Sequence, residues 1–178
     1  MMQLQTERPF GTLSRVQKTA YLGLLTALAI LFGYIETLIP FFVGIPGVKL
    51  GLANIVTVLV LYLFDGRSAC AVMLARVLAV GFLFGNAYGI LYSLAGAVLS
   101  LLGMCLLFRC DKISVVGVSI TGGILHNIGQ LLVAAFAVKE LRLSYYAPVL
   151  IIAGTLTGLL IGILAAIIYK YLLHAFHQ

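Results

Sequence analysis

Charge is scarce in this 178-residue sequence. Asp, Glu, Lys and Arg make up 9% of it, and only five residues are acidic. A typical soluble domain carries about 25% charged residues, so a water-exposed globular fold is excluded as the main architecture. There are three cysteines, Cys70, Cys105 and Cys110, with no CxxC spacing. Neither a disulfide framework nor a metal site follows from them. No GxxxxGK[ST] loop occurs, so ATP-driven work would need another subunit. The five acids are scattered, leaving no paired acidic motif to hold Mg²⁺ on a diphosphate. No Ser–His–Asp arrangement is visible either. These absences point away from catalysis, and no cofactor is expected.

What is abundant is apolar sequence: 63% of positions are hydrophobic and the mean hydropathy is +1.18. A spanning helix needs about 20 apolar residues. The body, 16–173, therefore has room for roughly six spans. The expected fold is an all-α integral membrane bundle of six transmembrane helices. A polar segment, 1–15, precedes it and a short tail, 174–178, follows. Met1 to Ser14 is too poor in apolar residues for a secretory signal and is expected to be retained.

Composition sets the boundaries. The first span runs from about Gln17 to Ile39 and stops at Pro40, which cannot continue a helix. A Gly/Pro-rich loop follows, then a short second span from Gly51 to Phe64. Asp65-Gly66-Arg67 reads as a turn. The apolar run from Ala69 to Phe108 is long enough for two crossings, with the reversal at Gly85-Asn86. Spans five and six cover about Ser114 to Val138 and Tyr145 to Leu173. His174 and His177 read as a solvated tail, since two ligands alone are weak for metal.

Basic residues set the orientation. Arg8, Arg15, Lys18, Arg67, Arg109, Lys112 and Lys170 fall on the side of the termini, against Lys49, Lys139 and Arg142 opposite. The positive-inside bias puts both termini in the cytoplasm, in a multi-pass protein of the bacterial inner membrane. The net charge of +6 serves as helix-end anchors and is no nucleic-acid signature. Small residues recur every four positions at Gly154, Gly158, Gly162 and Ala166, and at Gly81, Gly85 and Gly89. Such faces let helix backbones approach closely in lipid, here within one bundle.

The few polar residues in the spans carry the functional reading, because lipid offers them no partner. On this topology Glu36, Lys49, Asn54, Arg76, Asn86, His126, Asn127 and Gln130 all fall in the outer half. Gly122, His126 and Gln130 share one helix face, with Gly123 and Asn127 beside them. That face suits a ligand cavity, although the same groups could bond neighbouring helices. Arg76 would be costly unpaired, and Glu36 is the one acid within a span. The two either hold helices together or leave Arg76 for an anion. Lys49 could close over an anion or snorkel to the interface. Tyr88 could stack on a ligand or serve as an interfacial aromatic.

Three stretches carry a family resemblance: Gly47–Asn54 (GVKLGLAN), Gly85–Gly96 (GNAYGILYSLAG) and Gly117–Gln130, which ends in HNIGQ. They resemble the Gx transporter family, whose members are often labelled heptaprenyl diphosphate synthase component I. That family is in turn similar to the substrate-binding S components of energy-coupling factor (ECF) vitamin transporters. Those are six-helix proteins that capture a small molecule from outside and dock on a transmembrane subunit carrying two ATPases. The resemblance implies a partner-docking face on the first helix, for which Gly23 and Ala27 are the best match.

The expected function is capture of a small polar or anionic metabolite in an outward-facing pocket. Its residues would be Glu36, Lys49, Asn54, Arg76, Asn86, Tyr88, His126, Asn127 and Gln130. The partners are the lipid bilayer, the substrate and ECF-type subunits. Two rivals stand beside it: a scaffold for a quinone- or flavin-linked redox complex, and an accessory component of prenyl diphosphate synthesis.

Overall fold

A computed structural model describes residues 10, 13–38, 51–110, 112–139 and 141–176. All regular structure among these residues is helical. The elements are α1 (Arg15–Leu38), α2 (Leu52–Leu63), α3 (Gly66–Phe84), α4 (Ala87–Phe108), α5 (Val115–Val138) and α6 (Ala147–Phe176), with a 3₁₀ turn at Leu141–Tyr146 before α6. Five helices, all but α2, are long and apolar enough to cross a bilayer. The chain is a multi-pass helical membrane protein.

The exception, α2, is the span expected to be short, and the six helices comprise five long ones and this shorter one. Helix α2 has 12 residues, which at 1.5 Å each reach about 18 Å, short of a hydrocarbon core of about 30 Å. Its environment differs as well. Every residue from Ala53 to Leu63 is buried, whereas the other helices show lipid-facing sides rich in exposed Leu, Ile and Phe. A helix apolar all round belongs in an interior. It packs on α1, α3 and α6, while α5 is clasped between α4 and α6.

Local chemistry accounts for the turns. Asn86 accepts the Gly89 N–H at 2.7 Å and starts α4. This places the reversal between α3 and α4 at Gly85-Asn86, as the sequence indicates. The expected turn at Asp65-Gly66-Arg67 contracts to one capping residue. Asp65 accepts the Ser68 N–H at 2.7 Å, and the helix resumes at Gly66. Helix α6 continues to Phe176, so His174 lies in its last turn, not in a tail. Pro40, the loop 41–49 and His177 lie outside the described residues.

Asp65 also receives the Lys18 ammonium of α1 at 2.7 Å, and this ammonium lies 5.9 Å from the centre of the Phe64 ring. Burial by itself would raise the Asp65 carboxyl. The hydrogen bonds from Lys18 and Ser68 outweigh it and hold the group at about 2, against an ordinary 3.8. A carboxyl lowered on folding stabilises the protein above its unfolded value, and the contribution fades as pH falls from 3.8 toward about 2. Asp65→Ala is therefore expected to cost about 1 kcal/mol, the usual worth of a helix cap. In thermal melts of detergent-solubilised protein the deficit should be present at neutral pH and vanish in that acid window. A variant equally stable at neutral pH would show that the cap contributes nothing.

Candidate binding cavity

At the bundle end opposite Asp65, the C-terminal ends of α1 and α3 meet the N-terminal ends of α2 and α4. A cavity of ≈ 100 Å³ opens there. Helix α1 contributes Gly33, Glu36 and Thr37, and the start of α2 contributes Gly51 and Asn54. From α3 come Arg76 and an apolar wall of Val77, Val80 and Phe84. Helix α4 adds Gly89 and Ser93, and α5 adds His126. Five helices thus converge on one hollow, polar at one pole and apolar at the other, a pattern typical of small-molecule sites.

Glycines shape this end. Gly51 sits in the left-handed region at φ 72°, and a Cβ there would also lie 3.0 Å from Ile161 Cδ1. A Cβ on Gly33 would lie 2.9 Å from Val80 Cγ2. On Gly89 it would meet only Asn86 Oδ1, at 3.3 Å.

The charged pair has a defined arrangement. Glu36 Oε1 accepts the Leu52 N–H at 2.6 Å and so satisfies a donor at the start of α2. A carboxylate there is also favoured by the helix dipole. Arg76 is 8% exposed and interacts electrostatically with Glu36. Its Nε–H has no hydrogen-bond partner among the described residues. Glu36 thus ties the end of α1 to the start of α2, and Arg76 borders the cavity from α3.

Four expected site residues, Glu36, Asn54, Arg76 and His126, come together on this wall. The others are placed elsewhere. Asn127 donates through Nδ2 to the Leu150 carbonyl at 2.8 Å and ties α5 to α6. With Asn54 and His126 it also borders a second void of ≈ 10 Å³, the size of one water. Gln130 is buried at the α4–α5 seam against Gly96, away from the cavity lining. Asn86 is exposed and occupied as a cap. Tyr88 is half-exposed, with its ring 6.3 Å from that of Tyr92. Lys49 lies outside the described residues. Gly23 and Ala27 are both exposed on α1, and nothing lies within 4 Å of a Cβ at Gly23.

Ser93, Thr37 and Gly33 were not singled out from the sequence. Ser93 was traceable, since it lies one turn beyond Gly89 and shares its face. Among the described residues Cys70 and Cys105 are part-buried and Cys110 is exposed, none of them in a disulfide.

No curated protein and no solved structure matches this chain. The sequence does match, over residues 25–168, the family described as heptaprenyl diphosphate synthase component I. That span takes in α2 to α5, most of α1 and α6, and every residue of the cavity wall, so the chain belongs to this family.

Proposed function

We propose that this protein is the substrate-capture subunit of a small-molecule uptake system. In this reading it resembles an ECF S component, binding its ligand without changing it. The observation that carries the reading is the convergence of Glu36, Arg76, Asn54 and His126 from four helices on one hollow. Buried ionisable groups in a membrane bundle are costly, and they mark ligand or ion pathways. The basic residues Arg15, Lys18, Arg67, Arg109, Lys112 and Lys170 lie toward the opposite end. By the positive-inside bias that end and both termini face the cytoplasm, and the cavity faces outward. The exposed small-residue face at Gly23 and Ala27 is the proposed contact for a transmembrane partner carrying ATPases.

The protein, extracted gently and analysed by native mass spectrometry, should carry a co-purifying small molecule. Arg76→Ala and His126→Ala should each lower its occupancy at least tenfold, the effect of losing one charge-assisted hydrogen bond of about 1.5–3 kcal/mol. Leu164→Ala, on an exposed face of α6, should leave it unchanged. Equal loss in all three variants would defeat the pocket.

The family's description favours a second reading, a component of prenyl diphosphate synthesis. Chain-elongation assays with and without Mg²⁺ separate the two, and no activity is expected from this chain.

A further inference from the structure

The smaller void of ≈ 10 Å³ lies behind the candidate cavity and shares Gly51, Asn54 and His126 with it. It sits where the start of α2 meets the α5–α6 seam. Val58, Met104 and Ile161 give it an apolar side, and Asn54, Ser119, Asn127 and Thr157 bring polar groups to it. A buried water needs about 10–15 Å³ of such space and two to four polar partners. The void reaches the lower bound of the first requirement.

Its polar lining meets the second. Thr26, Thr121, Thr155 and Thr157 each donate their hydroxyl to the carbonyl one turn back, the usual outlet in a membrane helix. Ser119 does not. It is 3% exposed, borders the void and makes no side-chain hydrogen bond among the described residues. The Asn54 side-chain amide, on a residue 7% exposed, is likewise unbonded among them. Both groups carry donors. Acceptors belong to the same lining. Thr157 commits its proton to the Ala153 carbonyl at 3.0 Å, and its oxygen can still accept. Asn127 commits Nδ2 to the Leu150 carbonyl at 2.8 Å, and its Oδ1 can still accept. Left dry, the void would strand buried donors and acceptors side by side, which is unfavourable in a low-dielectric interior.

We propose that the void holds one ordered water molecule, which accepts from Ser119 and Asn54, donates to Thr157 and Asn127, and so ties α2 to the α5–α6 seam. The water stands behind the wall that Asn54 contributes to the larger cavity. It is bound there whether or not that cavity captures a metabolite.

Thermal melts of the full chain in detergent test this by the sign of one substitution. With the water in place, Ser119→Ala removes a satisfied hydroxyl and should lower the midpoint by about 2–4 °C. Ser100→Ala is the matched control. Ser100 is 1% exposed, its Oγ has no partner among the described residues, and it is not on the void's lining. Removing that stranded hydroxyl should leave the midpoint at or above the parent's. If Ser119→Ala behaves like Ser100→Ala, the void is dry and the proposal falls. Thr157→Val should also melt lower. Because both variants break bonds to the same water, Ser119→Ala/Thr157→Val should fall little further than the worse single, and additive losses would overturn the shared water. Solution NMR on protein labelled with ¹⁵N-asparagine supplies the direct readout. The Asn54 side-chain amide should show a dipolar cross-peak to water that the double variant loses, with the exposed Asn86 amide reporting exchange with bulk solvent. A parent protein without that cross-peak would overturn the proposal whatever the melts show. A midpoint that rises when KCl is replaced by NaCl would overturn it too, assigning the void to a sodium ion, since oxygen donors also suit a hard cation.

Discussion

Gly123→Ala should melt far below the parent protein, and Gly158→Ala should behave in the same way. A Cβ on Gly123 would run into the Gly154 carbonyl oxygen and sit 3.2 Å from Gly158 Cα. One on Gly158 would sit 2.7 Å from Ile120 Cα and 2.9 Å from the Ser119 carbonyl oxygen. These neighbours are backbone atoms, so no side-chain rotation can make room. Helices α5 and α6 would have to part along their seam. Helix association in lipid relies on close van der Waals packing, since apolar burial gains nothing between lipid-facing sides. Overpacking of this kind costs typically about 1–3 kcal/mol, and unyielding backbone on both sides places it at the upper end. Gly23→Ala is the matched control. A Cβ there meets nothing within 4 Å, and alanine is the better helix former by about 1 kcal/mol. It should melt at or above the parent temperature. Unfolding in mixed detergent would measure both, and a Gly123→Ala variant as stable as the Gly23→Ala one would rule out a tight α5–α6 seam.

That seam was legible because small residues at four-residue spacing leave a trace in the sequence. Gly154, Gly158 and Gly162 announced the face, and all three meet α5. The α3–α4 reversal was legible for a similar reason, since Gly85-Asn86 interrupts an otherwise apolar run. The character of α2 was only half visible. Its shortness could be counted, but burial on every side depends on α1, α3 and α6 closing around it, which no local pattern records. The polar residues divide along the same line. Depth in the membrane can be estimated from position along a helix, and Glu36, Asn54, Arg76 and His126, placed at one depth by that count, line one cavity. Direction around a helix cannot be fixed without knowing its neighbours. Asn127 is one residue from His126 yet reaches the Leu150 carbonyl of α6, and Gln130 shares the His126 face yet lies against Gly96. Ser93 went unnoticed because a serine in a membrane helix ordinarily bonds its own backbone.

The second large effect is expected at Arg76, where stability and binding should come apart. Arg76→Met removes a buried cation that interacts electrostatically with the part-buried Glu36, and breaking even a fully buried ion pair from one side costs about 3–5 kcal/mol. The bond from the Leu52 N–H to Glu36 keeps part of that carboxylate's satisfaction, which puts the loss near the lower figure. Adding Glu36→Gln removes the stranded charge. A glutamine carbonyl can still accept the Leu52 N–H, so the helix cap survives. The double variant Arg76→Met/Glu36→Gln should therefore recover most of the lost stability, because replacing two interacting opposite charges together by neutral groups is often close to neutral overall. Ligand occupancy should not recover, since the donor fork is gone. A merely structural pair predicts the opposite, with occupancy returning as stability does. Thermal unfolding and native mass spectrometry on the four members of the cycle give both readouts. Coupling between the two sites follows from the non-additivity of the stabilities. Restored ligand in the double variant would reduce Arg76 to a strut between α3 and α1.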